Sequence, residues 1–176
     1  MFGKMQIISL PALTVLAAGA AATGALAAAH GELAGIKNAT SIYLQDIPRA
    51  EADGFVNTRD CVVNEEGPGA MGVHLINPGR MQNPAVVANE PEVLLFEPTD
   101  GGLRLRGVEY FVAIGAPGTP VPDNPPPAPT LLGQKFHGPM AGHNPEMPPH
   151  YDLHVWFDNP DGTFAEFNKN VSCPAE

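Results

Sequence analysis

The sequence is poor in serine. Once an N-terminal leader is set aside, only Ser41 and Ser172 remain, and neither lies in Gly-x-Ser-x-Gly. A serine-hydrolase nucleophile elbow is therefore missing. The sequence also has no P-loop and no dinucleotide-binding glycine fingerprint, which excludes those nucleotide-dependent classes. Basic residues are few, 9 Lys plus Arg against 19 Asp plus Glu, giving a formal net charge of −10. Such a chain offers no positive surface to nucleic acid or anionic lipid. Cations, small molecules and neutral extracellular polymers are the partners that fit. Cysteine is limited to Cys61 and Cys173. In an oxidising compartment they are expected to form one disulfide, closing a loop of roughly 110 residues and contributing about 4–5 kcal/mol by loop-closure entropy. That bridge leaves no thiol for covalent catalysis or for a two-thiolate metal site.

Residues 1–29 have the layout of a secretory signal peptide: a single charge, Lys4, then an apolar run, then small residues. Cleavage after Ala27 or after Ala29 satisfies the small-x-small rule. The uncharged run is long enough to span a bilayer as an uncleaved anchor, but its Ala/Gly-rich second half is only weakly hydrophobic and favours cleavage. The product is read as a secreted or periplasmic protein, with no membrane contact after cleavage. Residues 30–176 then fit a single α+β domain.

Within that domain, Asn38 to Asp53 reads as a helix. Thr40 or Ser41 is placed to cap it, Pro48 to break it or open a second short helix, and Gly54 to stop it. From Phe55 onward, short strand patterns alternate with turn signals. Val62-Val63, Val73 to Ile76, Glu92 to Glu97 and Leu103 to Ile114 are candidate strands, the last with Gly107 as a bulge. Pro117 to Thr130 holds seven prolines in fourteen residues, so it reads as an extended surface excursion outside any sheet ladder. Phe136 to Pro149 reads as a loop leading into a strand at His150. The turn Asp158 to Gly162 is expected to close a hairpin onto Thr163 to Phe167. The fold expected is an N-terminal helix packed on an antiparallel curved sheet or small β-barrel.

Four of the six histidines, His137, His143, His150 and His154, fall between Phe136 and Phe157. The end of this stretch, HYDLHVWF, alternates. Tyr151, Leu153, Val155 and Phe157 share one face of a strand, read as core-facing; His150, Asp152, His154 and Trp156 share the other. Residues on that face recur every ~7 Å. His74 and Glu109 each interrupt an otherwise apolar run, and burying either without a partner is costly. Imidazoles and a carboxylate converging inside a small β structure suit zinc, copper, iron or manganese. His150 and His154 lead this candidate set, followed by His74, Glu109, His137 and His143. Met140 and Met147 could support Cu(I), although methionine in such a loop is commonly packing. The ligand types resemble those of cupin metal sites, but the cupin spacing is missing and the likeness ends there. His-Glu-x-x-His is also missing, with Tyr151 after His150, so a zincin reading fails.

Two readings compete with this site. If cleavage follows Ala29, His30 becomes the N-terminal residue. The start His-Gly-Glu then resembles that of copper-dependent polysaccharide monooxygenases, which implies a copper brace. A metal-free secreted binding or structural module, with Trp156 and Tyr110 contacting a ligand, is the alternative from another class. A metal-free acid–base pair of Asp152 and His154 is a further variant. Several stretches together, Ala-Asp-Gly-Phe, Met-Gly-Val-His-Leu-Ile-Asn-Pro, Gly-Val-Glu-Tyr-Phe, His-Tyr-Asp-Leu-His-Val-Trp and Asn-Pro-Asp-Gly-Thr-Phe, resemble a group of small exported bacterial proteins. The likeness covers nearly all of the domain. It implies export, and since no activity is established for that group it implies no function and no site.

Overall fold

The computed structural model describes residues 18–174. Residues 1–17 of the expected signal peptide lie outside the described residues. Helix α1 runs from Ala18 to Thr40 and is followed by a 3-10 turn at Ser41–Tyr43 and a short helix α2, Ile47–Ala52. Asn38 to Asp53 thus holds the end of α1, the 3-10 turn and α2. The second short helix opens at Pro48 as expected, while the Thr40 side chain makes no cap hydrogen bond. Pro48 sits in the first turn of α2, where its missing N–H is not needed, and the Asp46 side chain caps that turn by accepting from the Arg49 N–H at 3.0 Å. Gly54 ends it at φ +94°.

Strands β1 (Val56–Val63), β2 (Ala70–Ile76), β3 (Val93–Thr99), β4 (Gly102–Ala113), β7 (His137–Met140) and β8 (His150–Trp156) form one antiparallel sheet. Its order is β1-β2-β3-β4-β8-β7. A one-turn helix α3, Pro78–Met81, follows β2, and a small hairpin of β5 (Thr130–Leu131) and β6 (Gln134–Lys135) precedes β7. The sheet is open: β1 and β7 are its edges, and no β1–β7 pairing closes it into the small barrel allowed by the sequence.

One face carries the main apolar core. Val73, Leu75, Leu94, Phe96, Val108, Tyr110, Tyr151, Leu153 and Val155 pack there with Ile36, Tyr43 and Ala50 from the N-terminal helical segments. The strand alternation sorts these residues as the pleat requires. In β8 every residue is buried, so the second face is covered too. Part of that cover is a smaller cluster of Ala70, Val93, Leu95, Trp156 and Val171.

The expected hairpin strand over Thr163 to Phe167 does not form. The Trp156 N–H instead donates to the Thr163 carbonyl at 2.8 Å, and its indole N–H to the Ala165 carbonyl at 2.7 Å. These bonds turn the C-terminal segment across the second face rather than along the sheet edge. Asn168 then pairs with Ala70 by two backbone bonds. The Cys61–Cys173 disulfide ties the end of this segment to β1 across 112 residues.

Candidate metal site

Three strands bring His74, Glu109 and His154 together. Glu109 on β4 and His154 on β8 are direct cross-strand partners. His74 on β2 lies beyond β3, paired there with Leu95, so it meets Glu109 diagonally over an intervening strand. Register makes this possible. Beside Gly107 the β3–β4 pairing slips by one residue, with Leu95 opposite Gly107 and Phe96 opposite Leu105. The sequence-expected bulge is therefore present, and it sets which face Glu109 occupies. Gly107 also has to be glycine: a Cβ there would lie 2.9 Å from the Trp156 ring and 2.8 Å from the Val155 carbonyl oxygen.

The Glu109 Oε2 atom is 3.6 Å from His74 Nε2 and 3.8 Å from His154 Nε2. These separations are too long for hydrogen bonds. They are close to the ~3.4 Å that separates donors around one tetrahedral ion at ~2.1 Å. One donor atom from each of the three residues lies within 4.8 Å of the others. His154 is 2 % exposed, and neither of its ring nitrogens has a hydrogen-bond partner among the described residues. A buried polar atom left unpaired costs about 1–3 kcal/mol.

Burial sets the protonation of the trio. Desolvation lowers the His154 pKa to about 3, helped by the neighbouring His74, His137 and His143, and lowers that of His74 to about 4. Both imidazoles are therefore neutral at physiological pH, the form that ligates a metal. Glu109 is raised well above the usual carboxylate range, first by desolvation and then by the charges of Asp152 and Glu92.

The trio lies in a cleft of about 430 Å³ that is also lined by Met71, His137, Met140, His143, Met147, His150, Asp152 and Glu166. His74, Glu109, His137, His143, His150 and His154, the candidate set read from the sequence, all line it, but not as one ligand set. His150 is held otherwise. Its Nδ1 is 2.9 Å from the Pro148 carbonyl oxygen and its ring stacks on Phe111 at 4.4 Å. The leading pair of the sequence reading is thus divided, with His154 in the trio and His150 a packed lining residue. His143 stands edge-on to His150 at 5.4 Å, and His137 is 3.9 Å from Asp152. His30 is exposed on α1 and is not among the residues lining the cleft.

The proposed ligand-contacting aromatics are interior residues on opposite faces of the sheet. The Tyr110 hydroxyl donates to the Ala88 carbonyl in the main core, and Trp156 packs in the smaller cluster. No shared ligand can touch both. The Asp152–His154 pair is likewise not formed, since no hydrogen bond joins them and Asp152 Oδ1 has no partner among the described residues.

The sequence reading placed Asp152 between His150 and His154 on one strand face but did not rank it among the metal ligands, and it left out Met71 and Glu166. Met71 is the extra residue where Val62 pairs with Gly72 and Val63 with Ala70, so no strict alternation predicts its direction. Glu166 belongs to the segment misread as a strand. No helix among the described residues is long and apolar enough to cross a membrane. Comparisons with protein-family models, curated proteins and solved structures find no match for this chain.

Proposed function

We propose that this is an exported protein that binds a divalent transition-metal ion through His74, Glu109 and His154. The observation that carries the reading is His154: a neutral imidazole buried in the sheet with both nitrogens unpaired, facing a carboxylate oxygen at 3.8 Å and, through it, a second imidazole. A bound ion would satisfy this histidine and the Glu109 carboxylate together. Two imidazoles and a carboxylate suit zinc, iron(II), manganese or copper(II); copper(I) is favoured less, because the cleft thioethers are not among the three converging donors. Three protein ligands leave a coordination position open, as catalytic rather than structural zinc sites do. The cleft would bring a small molecule, or a segment of an extracellular polymer, to that position. Metal-dependent hydrolysis or oxidation is the chemistry such a centre supports.

The test is zinc binding by the purified, metal-stripped protein, read by native mass spectrometry and calorimetry. The expected result is a tightly held ion that Glu109→Gln or His154→Ala weakens by at least a hundredfold. Equal affinity in the wild type and both variants would overturn the site. No binding of zinc, manganese, iron or copper would return the chain to the metal-free reading.

A further inference from the structure

The first ion leaves a second set of donors in the same cleft unexplained. Asp152 is 7 % exposed, and its Oδ1 is buried with no hydrogen-bond partner among the described residues. His137, its cross-strand partner on β7, places Nδ1 3.9 Å from that oxygen. The distance is too long for a hydrogen bond but fits two donors held ~2.1 Å from one ion. His143 and Glu166 line the same cleft. Asp152 does not belong to the inner trio, whose mutually close donors are His74, Glu109 and His154 alone. It is anchored two residues before His154 on β8, about 6.6 Å along the strand. No Asp152 oxygen lies within 4.8 Å of all three trio donors, so Asp152 is not placed on the inner ion.

We propose that the cleft holds a second divalent cation at an outer site, bound by Asp152 Oδ1 and His137 Nδ1 and reached by the exposed His143. The proposal rests on the metal reading of the cleft. Its ligand class is the same borderline cation that mixed imidazole and carboxylate donors select, zinc above all. The sites differ in access: the inner donors lie deep in the cleft on three strands of the sheet, whereas His137 on edge strand β7 is exposed. The outer ion is accordingly the weaker and faster-exchanging one. A pair of ions facing one cleft is an arrangement suited to clamping an anionic ester or carboxylate substrate between them.

Zinc stoichiometry of the metal-stripped protein tests this with three chains: wild type, Asp152→Asn and Glu109→Gln. Both substitutions are nearly isosteric, and near-ultraviolet circular dichroism of Trp156 reports whether the sheet is intact. The expected result is two ions per chain in the wild type and one in each variant, the Asp152→Asn chain keeping the tighter ion. His137→Ala is expected to match Asp152→Asn. One ion in the wild type, kept by Asp152→Asn and lost by Glu109→Gln, would overturn the outer site and leave the inner one standing. One ion kept by Glu109→Gln and lost by Asp152→Asn would support the outer site and overturn the inner one. One ion lost in both would mean a single shared site and overturn the second cation. No ion in any chain would overturn both.

Discussion

The protonation states of the inner trio determine how metal binding must respond to pH. His74 and His154, with pKa values lowered to about 4 and about 3, are uncharged above pH 5, each with one ring nitrogen free to ligate. Glu109, raised by burial, still carries its proton. The first ion to bind must therefore displace one proton, from the carboxyl, and none from the imidazoles. Below the Glu109 pKa and above pH 5, affinity is expected to rise tenfold per pH unit, equivalent to about 1.4 kcal/mol. The slope should flatten where Glu109 ionises, which reads that pKa directly. Glu109→Gln removes the titrating group, so its weaker affinity should be nearly independent of pH over the same range. Calorimetric titration of the first zinc equivalent, in buffers of different ionisation enthalpy, counts the protons released. The wild type is expected to release about one more than the variant. Release of two or three protons near pH 6 would mean that the imidazoles are charged before binding. No difference between wild type and Glu109→Gln would mean that Glu109 is not a ligand. Either result refutes the reasoning.

Without metal, the same groups make stability depend on pH in two opposed ways. The lowered His74 and His154 contribute stability that is present above pH 6.5 and lost as pH falls toward 4 and 3. The raised Glu109 and Glu92, the latter to about 7, contribute stability that is present below pH 4.5 and lost as pH rises. The metal-free protein should melt highest between about pH 4.5 and 6.5, the range where these slopes cancel; zinc should move the optimum toward neutrality, as differential scanning calorimetry can show. Gly72→Ala should cost about 3 kcal/mol or more in denaturant unfolding, because φ is +81° and the new Cβ would sit 2.2 Å from the Phe96 carbonyl oxygen. Replacing Cys61 and Cys173 together by serine should cost about 4–5 kcal/mol by loop-closure entropy, measured by guanidinium unfolding. Leu153→Ala, at the fully buried centre of β8, should cost about 2–5 kcal/mol in the same assay.

Period-2 patterning made β8 legible, down to which of its side chains face the main core. His74 and Glu109 were legible as polar interruptions in apolar strands, and burial of both near His154 gives that signal its physical meaning. The grouping was not legible, because it depends on how strands distant in sequence are ordered. His150 shares a face with His154, yet its ring nitrogens do not close with the trio, and Pro148 and Phe111 hold the ring where it is. Closure into a barrel depends on whether β1 and β7 pair, which neither strand's own sequence decides. Strand β7 was read as loop because Gly138 and Pro139 are poor strand formers, and the long-range pairing of His137 with Asp152 overrides them. The strand expected at Thr163 to Phe167 was lost to the hydrogen bonds of Trp156, a competition that local turn chemistry does not register.

The disulfide has a consequence for the order in which the metal centre is completed. All three inner donors lie on strands made before the C-terminal segment. Glu166, which lines their cleft, lies on that segment, and Val171 packs beneath it against Val93 and Leu95. Cys173 fastens this segment to Cys61 on the edge strand. A partly synthesised chain can therefore bring the three donors together before Glu166 joins the cleft and Val171 packs on the sheet. On the proposed metal reading, metal acquisition would follow oxidation, and reduction of this one bond would loosen the C-terminal segment rather than the ligands.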